Sequence, residues 1–170
     1  MEKMKSILKK VGIALLVILA LIQFYRPARN NSGDNTNAIS KKYALPDSVE
    51  TILKASCYDC HSNNTIYPWY ANIEPVAAWL ANHVHEGKEH LNFSKFSAYR
   101  VNRQYHIVQG ISKTVKEGEM PLSSYTLIHT YAKLSPEQSA TLISWADGVG
   151  ATIKANNPAD SLIYKKKRKD

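Results

Sequence analysis

The sequence predicts an all-α fold of about four helices behind an apolar N-terminal helix, on three observations. Apolar residues recur at helical spacing in four stretches between residues 45 and 155. Each stretch carries a recognisable start or stop signal, and alternating strand patterns are scarce.

Taken in chain order, Lys3, Lys5, Lys9 and Lys10 precede an uncharged run over residues 11–25. Fifteen helical residues reach about 22 Å against a hydrocarbon core of about 30 Å. Including Ile7 and Leu8, with Lys9 and Lys10 snorkelling, extends the helix to about 28 Å. No A-x-A cleavage pair follows, which favours an uncleaved transmembrane signal-anchor over a cleaved signal peptide and secretion. The lysine excess ahead of the run places the rest of the chain on the far side of a bacterial inner membrane, facing the periplasm. Residues 26–44 then read as a flexible polar linker, residues 45–155 as one domain, and residues 156–170 as a basic, disordered tail.

Within the domain, Pro46-Asp47-Ser48 starts a short helix, with Asp47 or Ser48 as N-cap and Val49, Ile52 and Leu53 on one face. A second helix begins at Pro75, carries Val76, Trp79, Leu80, His83 and Val84 as its stripe, and should stop at Gly87. A third covers residues 101–116, with Ile107, Val108, Ile111 and Val115 facing inward and Gly118 as its stop. The fourth opens on a capping box, Ser135 with Gln138, and Pro136 in its first turn; Leu142, Ile143, Trp145, Ala146 and Val149 form its face. Residues 63–72 and 119–133 read as loops.

The chemistry is concentrated at Cys57-Tyr58-Asp59-Cys60-His61, which uses both cysteines of the chain. This is the C-x-x-C-H spacing of c-type haem attachment. Two thiols three positions apart can each form a thioether with one vinyl group of a haem, and the adjacent imidazole is carried to the iron. Three other readings use the same residues. A redox dithiol wants a βαβ context, which this chain hardly offers. A zinc site needs a second ligand pair at finger spacing, and only His85 and His90 come near it. A plain disulfide leaves His61 without a role.

Low-spin haem iron takes a second axial ligand. Met1 and Met4 precede the apolar run, so Met120 in Gly118-Glu119-Met120-Pro121 is the thioether candidate, set against service as a core filler. His83, on an apolar stripe, is the leading histidine competitor. His85, His90 and His106 read as surface or helix-end residues, while His129 could bond a propionate or a carbonyl. Tyr67, Trp69 and Tyr70 lie within ten residues of the attachment motif, which makes Tyr67 and Trp69 candidate pocket walls. Arg100 and Arg103 are candidate propionate partners.

The formal charge of +8 suggests nucleic acid until it is divided along the chain. The excess sits before residue 30 and in the tail, while residues 30–164 carry eleven basic and twelve acidic side chains. A near-neutral folded part gives no electrostatic footprint for DNA or RNA.

From Cys57 to about Val149 the chain resembles the bacterial haem-binding domain family related to monohaem c-type cytochromes. The stretches that carry the resemblance are Cys57-Tyr58-Asp59-Cys60-His61-Ser62-Asn63, Tyr67-Pro68-Trp69-Tyr70, Glu86-Gly87-Lys88, Leu91-Asn92-Phe93-Ser94, Gly118-Glu119-Met120-Pro121 and Leu134-Ser135. The resemblance implies a cytochrome c-like helical domain around one covalent haem c, with His61 as proximal ligand. The expected function is electron transfer between exported or membrane redox partners, a carrier rather than an enzyme. The alternative is a five-coordinate haem protein, acting as a gas sensor or peroxidase-like enzyme with a histidine such as His83 above the iron.

Overall fold

The computed structural model describes residues 1–163. They form seven α-helices: α1 (Glu2–Ile22), α2 (Asp47–Ser56), α3 (Tyr58–His61), α4 (Val76–His90), α5 (Val101–Lys116), α6 (Ser123–Ile128) and α7 (Pro136–Ala155), joined by loops and short 3₁₀ turns. Among the described residues no strand forms beyond an isolated bridge between Asn31 and Asn64.

The core is built on α5 and α7. Val108, Ile111 and Val115 of α5 meet Leu142, Ala146, Val149 and Ile153 of α7, and Val108, Leu142 and Ala146 are wholly buried. Gly150 faces Val108 across this contact, where a Cβ would meet Val108 Cγ2 at an ordinary van der Waals distance of 3.5 Å. Helix α2 lays Val49, Ile52 and Leu53 onto the same core, with Phe93 and Phe96 of a 3₁₀ turn (Phe93–Ala98) beside them. Gln104 is buried on α5 because its amide is satisfied: Oε1 accepts from Lys42 Nζ and Tyr43 Oη, and Nε2 donates to the Ser97 and Tyr99 carbonyls.

Helix α7 begins where its capping box requires. Ser135 Oγ accepts from Gln138 N at 3.1 Å, and Gln138 Oε1 accepts from Ser135 N at 2.9 Å. Ser135→Ala is expected to lower stability by about 1 kcal/mol, read as a lower urea midpoint with an unchanged slope.

Five expectations need correction. Helix α4 does not stop at Gly87 but continues to His90, because Gly87 serves close packing there instead of termination. The stretch 119–133 is not all loop: it holds α6 and a 3₁₀ turn, Thr130–Ala132, whose Ala132 is wholly buried. The first domain helix starts one residue early, after Pro46, and no side chain caps it.

The polar tract expected to be a flexible linker is fastened down. Ile39 joins the core at 1% exposure, and the Asn30 carbonyl and side chain bond Thr65 and the Ser62 carbonyl. Asn63 Nδ2 also donates to the Asp34 carbonyl. The start of the tail is folded as well. Leu162 is buried at the end of a 3₁₀ turn (Ala159–Leu162), and its carbonyl accepts from His106 Nε2 at 3.1 Å. The basic run from Lys165 lies outside the described residues.

No helix among the described residues is long and apolar enough to cross a membrane. Four lysines occupy the first half of α1, and its uncharged part, residues 11–22, is about 18 Å long. None of its side chains is buried.

Candidate functional site

Helix α2 runs directly into the attachment motif, and a single further turn arranges it. The Cys57 carbonyl accepts from both Cys60 N at 3.3 Å and His61 N at 3.0 Å. That turn sets positions 57, 60 and 61 at i, i+3 and i+4, hence on one side of the chain. All three line a cavity of ≈770 Å³, within the usual size range of cofactor pockets. Its opposite walls are apolar, from Ile107 and Ile111 of α5 and Leu142 of α7.

His61 is held by backbone. Its Nδ1–H donates to the Gly87 carbonyl at 2.9 Å and the Leu91 carbonyl at 3.1 Å. A proton committed at Nδ1 leaves Nε2 as the bare nitrogen, which is how a metal-binding histidine is oriented by its surroundings. Burial pulls the imidazole below its ordinary pKa despite those two bonds, so the ring is neutral, the form that ligates. Both carbonyls are available because α4 passes directly over the motif. A Cβ on Gly87 would stand 2.7 Å from the Cys60 carbonyl oxygen and 3.1 Å from Cys60 Cβ.

The same burial acts on the thiols. Cys57 is pushed up to about 12 and Cys60 to about 11, by burial first, then by Cys60 on Cys57 and by Asp59 on Cys60. A redox dithiol lowers the pKa of its attacking sulfur, and this environment does the reverse. Both cysteines are free thiols, and among the described residues no group of three His, Cys, Asp or Glu side chains is placed to hold a metal ion.

Met120 reaches the cavity wall through the end of α5. Gly118, at φ 71°, turns the chain, and the Thr114 carbonyl accepts from both Glu119 N at 2.9 Å and Met120 N at 3.2 Å. The loop is then tied back to the motif. Tyr125 of α6 donates to Asp59 Oδ2 at 2.7 Å, while Asp59 Oδ1 accepts from Ile66 N at 2.9 Å. Tyr125 stacks on His129 at 4.3 Å. His129 bonds Tyr70 and Tyr131, so it serves this network rather than the cavity.

Of the six residues singled out from sequence, Cys57, Cys60, His61 and Met120 converge on the cavity; Tyr67 and Trp69 do not. Tyr67 turns toward the N-terminal tract, away from the cavity, where its hydroxyl accepts from Asn30 N at 2.8 Å, under the Arg29 guanidinium. Trp69 is 76% exposed. Nearness in sequence failed there because the chain turns outward after Asn64. Arg103 lies over Tyr99 and donates to the Glu89 carbonyl, away from the cavity.

His83, His90 and His106 all line the cavity. The His83 ring lies tilted against Trp79, with centroids 4.2 Å apart, and its Nδ1–H donates to the Trp79 carbonyl at 2.9 Å. Sequence reasoning missed Asp59, Tyr125 and the positioning roles of Gly87 and Leu91. It also missed a buried polar network behind the motif: Asn92 Nδ2 donates to Asn63 Oδ1 at 2.8 Å, Asn63 N to Ser94 Oγ at 3.1 Å, and Ser94 N to Asn92 Oδ1 at 3.0 Å. The stretches Ser62-Asn63 and Leu91-Asn92-Phe93-Ser94 were the only signal for it.

An apolar chamber with two thiols and one pre-oriented imidazole on the same wall suits a large, flat, metal-bearing group held at its edge and its centre. The family profile described as a haem-binding domain matches residues 17–148, which include every residue lining the cavity. Comparison with curated proteins and with solved structures found no match. The cofactor is haem, and the chain belongs to the haem-binding domain family.

Proposed function

We propose that this protein is a monohaem c-type cytochrome that carries electrons, tethered to a membrane with its haem domain on the exported, periplasmic side. The observation that supports it is the His61 ring, fixed by two carbonyls beside two thiols that line the same cavity, whose wall also carries Met120. Cys57 and Cys60 would hold the haem at its edge, each thiol adding S–H across one vinyl group, with the C–S bond at one carbon and the hydrogen on its neighbour. His61 Nε2 and Met120 Sδ are the two donors that would hold its iron. The haem supplies an Fe(III)/Fe(II) couple; a thioether favours Fe(II) and raises the potential relative to a second histidine. The apolar walls exclude water and act in the same direction. Residues 11–25, uncharged and almost all exposed, support the tether, with the lysines before them on the cytoplasmic side.

A second reading has one observation in its favour. His83 also stands at the cavity with its Nδ1 proton committed, so its Nε2 is free to act on a gas or peroxide at a five-coordinate iron.

One experiment separates them: visible spectra of the full chain and of Met120→Ala, exported in a host equipped for c-type haem maturation, with the intact mass of each. The expected mass is chain plus one haem. A low-spin reduced spectrum that turns high-spin in Met120→Ala supports the carrier. A wild-type spectrum already high-spin, unchanged by the substitution and shifted by CO, transfers the reading to ligand binding.

A further inference from the structure

The end of α1 is not free to swivel on the haem domain. Gln23 Nε2 donates to the Glu74 carbonyl at 3.1 Å, and Glu74 N donates to Gln23 Oε1 at 3.1 Å, a reciprocal pair across 51 residues of sequence. Around that joint the domain surface is apolar. Ile73 is 44% exposed, Val76 37% and Trp79 47%, and Val76 and Trp79 share a face of α4 by their spacing. Phe24 and Tyr25 are exposed on the α1 side of the joint.

The acidic group closest to the patch is turned inward. Glu74 is 4% exposed, with Oε2 accepting from Ala78 N at 3.1 Å and Oε1 buried without a partner. The charges left outside are the exposed Arg26 and Arg29, opposite in sign to anionic lipid headgroups. Indole side chains and basic residues flanking an apolar helix are the composition of a membrane–water boundary.

We infer that the face formed by Ile73, Val76 and Trp79 lies on the lipid surface, and that the Gln23–Glu74 pair holds the domain in that pose. This rests on the reading of α1 as the membrane segment. A lipid surface is preferred to a protein partner because the patch is continuous with α1 through a two-bond joint. Trp79 carries the patch to the cavity, since the His83 ring packed against it is part of the cavity wall. The cavity wall on that side is therefore presented along the membrane, toward a membrane-embedded electron donor or acceptor.

The test is photolabelling of the full-length holoprotein in vesicles of phosphatidylcholine and phosphatidylglycerol that contain a diazirine-bearing phosphatidylcholine, with adducts mapped by mass spectrometry. Adducts are expected on α1 and on the peptide holding residues 73–79. In Gln23→Ala, labelling of that peptide relative to α1 is expected to fall by about tenfold, as two net hydrogen bonds are lost. Adducts on α1 alone overturn the lipid-facing patch and leave the tether standing. Adducts on neither segment overturn both. Equal patch labelling in Gln23→Ala overturns the orienting role of the pair.

Discussion

Asn92→Ala is expected to destabilise the haem domain by about 2–5 kcal/mol, because it orphans two buried groups at once. Asn63 Oδ1 loses its donor and Ser94 N loses its acceptor, in residues only 2% and 4% exposed. Neither can turn to water without opening the joint between the attachment turn and the 3₁₀ turn after α4. Asn63 also fastens the N-terminal tract, with its carbonyl accepting from Gly33 N at 3.0 Å. The check is urea unfolding of the holoprotein, with covalent haem yield measured beside it. A loss below about 1 kcal/mol, the ordinary value of one net hydrogen bond, would show that the site stays hydrated and that the network is not dry.

Gly87→Ala is expected to displace the attachment turn, with a net cost of about 1–2 kcal/mol. In a free helix the change gains about 1 kcal/mol of propensity. Here the new Cβ meets the backbone carbonyl of Cys60 at 2.7 Å, and backbone does not yield as a side-chain tip does. Overpacking of this kind typically costs 1–3 kcal/mol, so the clash outweighs the propensity. The same movement pulls the Gly87 carbonyl from His61 Nδ1. Covalent haem yield should fall, and the His61–iron bond should weaken, seen as partial high-spin character in the reduced spectrum. A variant as stable as wild type, with an unaltered spectrum, would show that α4 can slide without disturbing the turn.

Both predictions concern residues whose importance is invisible one position at a time. Gly87 sits after an apolar stripe and before a lysine, which in sequence is a stop signal. The structure uses it for a close crossing, and α4 goes on for three residues so that the Leu91 carbonyl also reaches His61. Tyr67 and Trp69 are the opposite case: aromatic, adjacent to the motif and absent from the cavity. The 26–44 tract looked unstructured because its anchoring groups are asparagines and one isoleucine, which show no periodicity until their partners at 62–65 and in the core are known.

What the sequence determined by itself is what short-range geometry encodes. Four helices follow from apolar spacing and caps, with α5 matching residues 101–116 and α7 its capping box. The proposed donor set follows from C-x-x-C-H and a single domain methionine. Tertiary structure alone decided which groups hold that donor set in place: the Gly87 carbonyl of α4 and the Leu91 carbonyl just past its end on His61, a tyrosine from α6 on Asp59, and an asparagine pair behind the turn. Those contacts join residues 26–66 positions apart through backbone and small polar groups, which have no periodicity to read and acquire partners only when the helices pack.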